Sequence, residues 1–514
     1  MQRWTDGYCT ETPYSEEFIS ALAPAELRLP LVLAGLVPPP LEEGFEYCEL
    51  GCGQGLTTAL LAAAYPQGRF TATDFNPVHI AHARRFCAER GIANAAFFDD
   101  AFAEFAARDL PQFDYVALHG IWSWVSAGQR EVLLDFLARK LKVGGVAYVS
   151  YNAKPGKLLH DPLRRLFRDL SGDPAAPAEH RAARGMELLS RCLEEPCGVF
   201  RIIKERPRIV ENLARKEAAY LAHEYMNEHW ESFYCDQVHA DLARARLSYV
   251  ATLDPVLNME ALSVPPALAE DYRRLPGAAQ KLVFRDLALN VAFRKDLFVR
   301  GPLPLDEAGQ RRAWETTFLG RAPLHPEFVE EFGCPAGAIR MDRDPLVRRT
   351  YDLLGERSAS MAELFTLAPQ GPQEMLNILL LLLASEQVRP FAAAYEMPDG
   401  GLGLDRANAA SLRWAVENGK GCWLCSRAFG NAVLLTLDEC LMLDAMLRGV
   451  PGDEIPARAA AETFAARRGI EVEGRSVKSE ADLAEFFARR WAEWRPAAPR
   501  ELARAGILAP GGRS

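Results

Sequence analysis

The chain has 514 residues, 49% of them hydrophobic and 25% charged, with a formal net charge of −10. A chain of this length is too long for one hydrophobic core, so we expect about two to four domains of ordinary globular composition. The negative charge argues against a broad nucleic-acid-binding surface.

Residues 1–6 show no basic region followed by an apolar stretch, so they do not predict a secretory signal. The most apolar run, residues 378–384, is far shorter than the roughly 20 residues that a membrane-spanning helix needs. We therefore expect a cytoplasmic protein that is not integral to a membrane. Cys422 and Cys425 form a close pair, but no second pair or histidine pair lies near them, which favours a buried helix over a zinc site.

Residues 45–151 alternate between strand-like and helix-like segments. The predicted strands cover residues 45–50, 69–74, 95–98, 113–119 and 146–150, and the predicted helices cover residues 56–65, 77–90 and 129–141. This order is typical of a doubly wound, Rossmann-like α/β domain.

The first predicted strand ends in an acidic residue followed by glycines at every second position. Glycine permits a tight turn and a close approach of the backbone to a cofactor, and the helix that follows directs free amides to the same place. The pattern differs from the Gly-x-Gly-x-x-Gly of dinucleotide-binding enzymes, so it favours S-adenosylmethionine. The predicted contacts are Glu49, Gly51, Cys52, Gly53 and Gly55.

Asp74 ends the second predicted strand, where a carboxylate can accept hydrogen bonds from both ribose hydroxyls. Phe75 and Asn76 follow it and belong to the predicted cofactor site. After the third strand, Asp99 and Asp100 offer a carboxylate to the adenine amino group, and Ala101 and Phe102 offer an apolar cover for the ring. The alternative for these paired acids is a solvated turn.

His119 and Gly120 follow the fourth predicted strand, at the edge where open sheets bind ligands. We predict that both contact the cofactor, while His119 is also a candidate general base. Trp122 and Trp124 could surround the cationic sulfonium with their π faces, although packing between sheet and helix is favoured for at least one of them.

Tyr151 and Asn152 close the fifth predicted strand and are further candidates for the reaction centre, where side-chain oxygens could orient an incoming amine. Trp4, Tyr8 and Tyr14 precede the first strand. The two tyrosines are predicted cofactor contacts in a lid, with Tyr14 also near the reacting atoms. The alternative is an arm that packs on an unrelated surface.

The first predicted domain covers residues 1–155. Beyond it, the alternation of strand-like and helix-like segments stops. We predict a helical middle domain over residues 156–302, a winged-helix-like domain over residues 303–397 and a helical domain over residues 398–514. The recognition helix of a winged helix would fall on residues 375–383, which are so apolar that they predict a core helix and not DNA binding.

His223, Glu224 and His229 resemble metal ligands by residue type. Their spacing is not His-Glu-x-x-His, and six positions separate the two histidines, so that they do not share a helical face. A capping or packing role is therefore favoured, and no metal is predicted.

Together these segments resemble the bacterial methyltransferases in which a class I catalytic domain precedes a methyltransferase regulatory domain, including the rickettsial-type protein lysine methyltransferases. The likeness covers the chain well to Val299 and only loosely beyond it. It rests on Tyr47-Cys-Glu-Leu-Gly-Cys-Gly-Gln-Gly55, Thr73-Asp-Phe-Asn-Pro77, Phe97-Phe-Asp-Asp-Ala-Phe102, Leu118-His-Gly-Ile-Trp-Ser-Trp124, Tyr148-Val-Ser-Tyr-Asn152, His223-Glu-Tyr-Met-Asn227 and Phe293-Arg-Lys-Asp-Leu-Phe-Val299.

The resemblance implies methyl transfer from S-adenosylmethionine to protein lysines, with S-adenosylhomocysteine as the product, and a middle domain that helps to form a dimer or a substrate groove. A lysine has a pKa near 10.4, so presenting its neutral amine at pH 7 costs roughly 4 to 5 kcal/mol. A dry aromatic channel beside a cationic cofactor lowers that pKa, and no strong base is then required. An oxygen acceptor would need a base such as His119. The alternatives are a small-molecule or glycan N- or O-methyltransferase, and a cofactor-binding regulatory scaffold.

Overall fold

The computed structural model describes residues 16–158, 160–173, 176–194, 221, 224–324, 327–396, 402–467, 470–472, 475–495 and 497–510. Four residues that the sequence analysis discusses, Trp4, Tyr8, Tyr14 and His223, lie outside these ranges.

The central sheet is built from strands β1 Glu46–Leu50, β2 Arg69–Thr73, β3 Ala95–Phe98, β4 Phe113–Leu118, β5 Leu141–Asn152, β6 Leu247–Thr252 and β7 Phe293–Arg300. Within the described residues it has seven strands in the order β3–β2–β1–β4–β5–β7–β6. The first five run parallel. Strand β7 is antiparallel to both of its neighbours. The predicted doubly wound α/β fold is confirmed.

The helices of this part are α1 Pro24–Leu33, α2 Leu56–Ala64, α3 Pro77–Arg90, α4 Phe102–Ala107, α5 Ala127–Lys140, α6 His160–Arg168, α7 Ala178–Glu194, α8 Cys235–Arg244, α9 Pro255–Asn258, α10 Glu260–Ser263, α11 Ala269–Arg274 and α12 Ala278–Leu289. Side chains alternate across the sheet. Tyr47 and Tyr148 therefore pack on the face that α1 and α2 cover. Cys48 and Val149 pack on the opposite face, under α5 and α8.

Strands β6 and β7 correct the prediction that residues 156–302 are helical throughout, because both strands complete the central sheet. Their sequences lack the clear alternation of apolar and polar residues that predicts a strand. The pairing of β6 shifts register between Tyr249 and Ala251. Strand β7 carries Arg294 and Asp296 as buried residues that pair with each other, with 2.9 Å between Nε and Oδ2, so charges occupy positions where an apolar residue would have been the signal.

Beyond the sheet lie α13 Glu307–Glu315, β8 Phe318–Arg321, β9 Glu331–Cys334, β10 Gly337–Arg340, α14 Pro345–Glu356, β11 Ala359–Ser360, α15 Met361–Phe365, α16 Pro372–Ala384 and β12 Val388–Phe391. Strands β11, β8 and β12 form a small antiparallel sheet. The apolar helix α16 buries Met375, Ile378, Leu379, Leu382 and Leu383, as a core helix does. The winged-helix assignment of this region remains a prediction.

The remaining elements are β13 Leu402–Gly403, α17 Arg406–Asn418, β14 Cys422–Ser426, β15 Asn431–Leu435, α18 Leu437–Leu447, α19 Ile455–Arg467, β16 Ile470–Val472, β17 Arg475–Val477, α20 Glu480–Trp494, α21 Ala498–Arg504 and β18 Ala509–Pro510. The prediction of a wholly helical region is corrected by the β14–β15 hairpin. Cys422 and Cys425 lie in strand β14 and not in a buried helix.

The β14–β15 hairpin packs against the sheet domain. Cys425 and Ala432 join the apolar core over α1 and α2, and the Trp423 ring lies 5.0 Å from the ring of Phe18. The C-terminal region thereby supports the segment that leads into α1. In the described ranges, no helix combines the length and the apolarity that crossing a membrane requires.

Candidate active site

A cavity of about 460 Å³ lies at the carboxyl ends of the parallel strands. Loops that follow successive strands supply its walls, as expected for an open α/β sheet. Its lining comprises Glu17, Ile19, Glu49, Gly51, Cys52, Gly53, Gln54, Gly55, Leu56, Thr57, Asp74, Phe75, His79, Asp100, Ala101, Phe102, His119, Gly120, Ile121, Trp124, Val125, Gln129, Asn152, Lys157, Glu224 and Phe293.

The glycine loop after β1 needs glycine at its two ends. Gly51 and Gly55 both have φ +76°, a left-handed conformation that side chains disfavour. A Cβ on Gly51 would lie 2.2 Å from Ile121 Cδ1, and a Cβ on Gly55 would lie 2.5 Å from Ala83 Cβ. Gly53 is different, since its φ is +53° and, among the described residues other than its chain neighbours, no atom lies within 4 Å of an added Cβ. The loop therefore packs tightly at both ends and leaves its middle open.

Asp74 is held beside this loop by backbone donors. The Gly53 N–H donates to Oδ2 over 3.0 Å, and the Asn76 N–H donates to Oδ1, also over 3.0 Å. His79 Nδ1 lies 3.2 Å from Oδ1. The carboxylate is thus fixed in orientation where it borders the cavity. Asn76 itself caps α3 by accepting from the Val78 N–H over 3.0 Å and is not part of the lining.

Glu49 lies deeper, at the end of β1, and is only 5% exposed. The Thr58 hydroxyl donates to its carboxylate. Burial raises the pKa of Glu49 to about 7, and the nearby charge of Asp74 adds to the increase. The protonation state of Glu49 therefore changes close to neutral pH.

The predicted adenine contacts separate in the structure. Asp100, Ala101 and Phe102 line the cavity, whereas Asp99 does not. Asp99 is exposed and lies 3.6 Å from the Arg84 guanidinium. Consecutive residues at a strand end point in different directions, so only one of the paired acids faces the cavity.

His119 also borders the cavity. Its Nδ1 lies 2.8 Å from the Tyr148 hydroxyl, and the neighbouring Gly120 N–H donates to Ser150 Oγ over 2.9 Å. Burial lowers the pKa of His119 to about 4, with a further decrease from the positive charge of Lys295. His119 is therefore neutral at pH 7.

The structure separates the two residues that close β5. Asn152 lines the cavity, is 1% exposed and has no hydrogen-bond partner at Nδ2 within the described residues. Tyr151 does not line the cavity. Its side chain lies on the opposite face of the sheet, where the hydroxyl donates to Asp296 Oδ2 over 2.6 Å. Tyr151 is therefore placed to support the sheet and not to contact a bound substrate.

The two tryptophans also lie in different environments. Trp122 is fully buried in the core beneath α5, and Trp124 lines the cavity. One tryptophan packs and the other is available to a ligand.

Several lining residues were not predicted as site residues, among them Lys157, Glu224 and Phe293. Phe293 and Glu224 stand within two of the segments that carry the family resemblance, whereas no motif marks Lys157, which lies in the turn after β5. Glu224 was weighed as a metal ligand, but the described residues contain no group of three or more side chains that could hold a metal ion.

Comparison with known proteins identifies two similar domains. The family described as "Methyltransferase domain" matches residues 48–147, and that described as a predicted methyltransferase regulatory domain matches residues 217–300. An uncharacterized protein, sll1526 of Synechocystis, is 39% identical over 305 residues, which are 59% of this chain and 60% of that protein. An uncharacterized protein of Rickettsia prowazekii, RP789, is 24% identical over 306 residues, 58% of this chain and 53% of that protein.

The chain thus spans little more than half of the length of these two relatives. A solved structure of PKMT2 from Rickettsia typhi, in complex with AdoHcy, has a TM-score of 0.71 at 17% identity and covers 96% of this chain and 100% of that one. This likeness establishes the fold. The domain matches confirm the predicted methyltransferase domain, whose cofactor is S-adenosylmethionine. The chain therefore contains a methyltransferase domain, followed by a segment that matches a predicted methyltransferase regulatory domain.

Proposed function

We propose that the protein transfers a methyl group from S-adenosylmethionine to lysine side chains of protein substrates. The observation that supports this most is that the glycine loop, Asp74 and Asp100 share one cavity with a neutral histidine, the side-chain amide of Asn152 and the ring of Trp124. The proposal includes a cytoplasmic location, no nucleic-acid partner and a homodimer.

The cofactor, when bound, supplies an electrophilic methyl group on a sulfonium. The residues present fit it. Gly53 leaves open space for the methionyl part beside the start of α2. Asp74 offers acceptors to the ribose hydroxyls, and Asp100 and Phe102 border the position expected for adenine.

For the acceptor, the chain provides an environment that disfavours charge. Trp124 and Phe293 wall the cavity with rings, and Asn152 presents an amide that can orient an amine. Burial of an ammonium beside a sulfonium lowers its pKa, both by desolvation and by like-charge repulsion. The acceptor nitrogen then attacks without a strong base.

The test is incubation of the purified protein with methyl-labelled S-adenosylmethionine and a cell extract, followed by mass spectrometry of whatever is labelled. We expect label on protein lysines. The Asp74→Ala variant should lose at least about 100-fold in cofactor affinity, because hydrogen bonds to a charged group contribute about 1.5 to 3 kcal/mol each. Asp99→Ala is the matched control, since Asp99 lies outside the cavity, and it should label normally.

Two other outcomes would contradict the proposal. Label found only in small molecules would favour a small-molecule methyltransferase. Cofactor binding without any transfer would favour a regulatory scaffold.

A further inference from the structure

Lys157 and Glu224 form an ion pair inside the same cavity, although 67 positions separate them in the chain. The Lys157 ammonium lies 3.4 Å from Glu224 Oε1, and the side chains are only 17% and 13% exposed. Both residues line the cavity, as Asn152 and Phe293 do. The cavity therefore already contains a lysine ammonium, from the protein's own chain.

Lys157 is held in place by the turn that follows β5. The Lys157 N–H donates to the Ala153 carbonyl over 2.9 Å, and the Gly156 N–H donates to the Val291 carbonyl over 3.0 Å. A Cβ on Gly156 would lie 2.5 Å from the Asn290 carbonyl oxygen, so this turn packs directly against the segment that enters β7. The position of Lys157 is thus set by the backbone.

Glu224 is brought to the cavity by residues 224–233, which lie within the match to the regulatory domain and are called the regulatory segment below. Its neighbour Tyr225 is buried, with its ring 4.8 Å from Phe167 and its hydroxyl 3.1 Å from His160 Nδ1. A few residues later, the Phe233 N–H donates to the Asn152 carbonyl over 3.0 Å. The segment that carries Glu224 is therefore docked on α6 at one end and on the end of β5 at the other.

A largely buried carboxylate that stays ionised is stabilised by a cation or by hydrogen-bond donors beside it. We propose that Glu224 is the acceptor-binding carboxylate, and that Lys157 occupies the position of the acceptor's ammonium until a primary amine enters. This inference rests on the proposed function. An incoming ammonium replaces the Lys157 ammonium beside Glu224 Oε1. The ion pair with Glu224 favours the charged amine for binding, whereas the sulfonium and the displaced Lys157 ammonium oppose that charge and favour release of the proton to water.

The arrangement predicts that the acceptor is a protonated primary amine on an unbranched apolar stem. Trp124 and Phe293 offer rings to the stem, and Asn152 offers its amide to the nitrogen. An acceptor with a carboxylate at this position would instead be repelled by Glu224. The regulatory segment would thus take part in choosing the acceptor and not only in folding.

The test uses n-butylamine, which matches a lysine side chain, as a binding probe for the full-length protein saturated with S-adenosylhomocysteine. Saturation-transfer NMR titrations give its affinity, and calorimetry gives that of S-adenosylhomocysteine. We expect Glu224→Gln to weaken n-butylamine binding by about 10- to 100-fold, the range for a hydrogen bond to a charged group. S-Adenosylhomocysteine affinity should change by less than about two-fold, which also shows that the variant is folded.

Glu228→Gln is the matched control, because Glu228 lies in the same segment with an exposed side chain. It should bind n-butylamine as the unmodified protein does. Equal n-butylamine binding by the Glu224 variant, or none by the unmodified protein, would overturn the inference. Preferential binding of butyrate would do the same and would assign Lys157 as the recognition residue. Loss of S-adenosylhomocysteine binding by the unmodified protein would instead contradict the proposed function.

Discussion

The two halves of the cavity are formed by different parts of the chain. The cofactor half comes mainly from one stretch, residues 49–102, in which each loop follows a strand. The acceptor half is assembled from residues 119–129, from the end of β5 with its following turn, from Glu224 and from Phe293. One half is thus local in sequence, and the other depends on docking of the regulatory segment.

This difference separates binding of the methyl donor from choice of the acceptor. The glycine loop and Asp74 are fixed by backbone contacts within the sheet domain. Glu224 reaches the cavity only because the segment around Tyr225 packs on α6. Changes in the regulatory segment can therefore alter the acceptor site while leaving the cofactor site intact.

The largest effect is expected from Gly55→Ala, which tests how rigidly the cofactor half is specified. The added Cβ would lie 2.5 Å from Ala83 Cβ and 2.7 Å from Phe97 Cε1, at a φ of +76°. Overpacking and the left-handed conformation together should lower the free energy of unfolding by about 4 kcal/mol. Urea denaturation measures this loss.

Gly53→Ala is the matched control in the same loop, because nothing lies within 4 Å of its added Cβ. It should cost only about 1 kcal/mol, from the φ penalty alone. Equal losses in the two variants would show that the loop is not held by the packing described here.

An intermediate effect is expected at Glu49, whose pKa burial raises to about 7. The folded protein holds this proton more tightly than the unfolded chain, so stability falls as pH rises from about 4.5 to about 7, by about 3 kcal/mol. Glu49→Gln removes this dependence, and its amide oxygen can still accept from Thr58. The variant should therefore be more stable than the unmodified protein at pH 8, and should lose that advantage at pH 4.5.

Urea denaturation at both pH values tests this expectation in the cofactor-free protein. A constant difference between variant and unmodified protein across the range would contradict the titration of Glu49. The Asp100→Asn variant is a suitable comparison, since Asp100 lies at the cavity edge beside Arg108 and not in the core.

The local half of the site could be predicted from the sequence because the residues that form its motif are also residues that line the cavity. Glycines at every second position and an acid after the next strand are visible in the sequence. The side on which a strand residue points was harder to predict. Tyr151 and Asn152 are neighbours on β5, so they cannot both face the cavity, and the pattern alone does not decide which one does.

The non-local half was largely missed for two physical reasons. Strands β6 and β7 carry buried charges or irregular pairing in place of clear apolar alternation. Glu224 and Lys157 acquire their role only through tertiary contact, and a lone carboxylate or lysine in a sequence is more often solvated. Trp122 and Trp124 illustrate the same limit, since two tryptophans in one motif have different environments.

The smallest effect is expected from His119→Ala, which tests whether the acceptor half needs a base. His119 is already neutral at pH 7, because burial and Lys295 lower its pKa to about 4. Its Nδ1 also engages the Tyr148 hydroxyl. For an amine acceptor, desolvation favours the reactive neutral form, so single-turnover methyl transfer to lysine should fall by less than about five-fold, whereas loss of a general base costs about 10²- to 10⁴-fold. A loss of methyl-transfer rate of that size, with cofactor affinity unchanged in calorimetry, would favour an oxygen acceptor. The acceptor half of the cavity would then depend on a titratable group, as the cofactor half does.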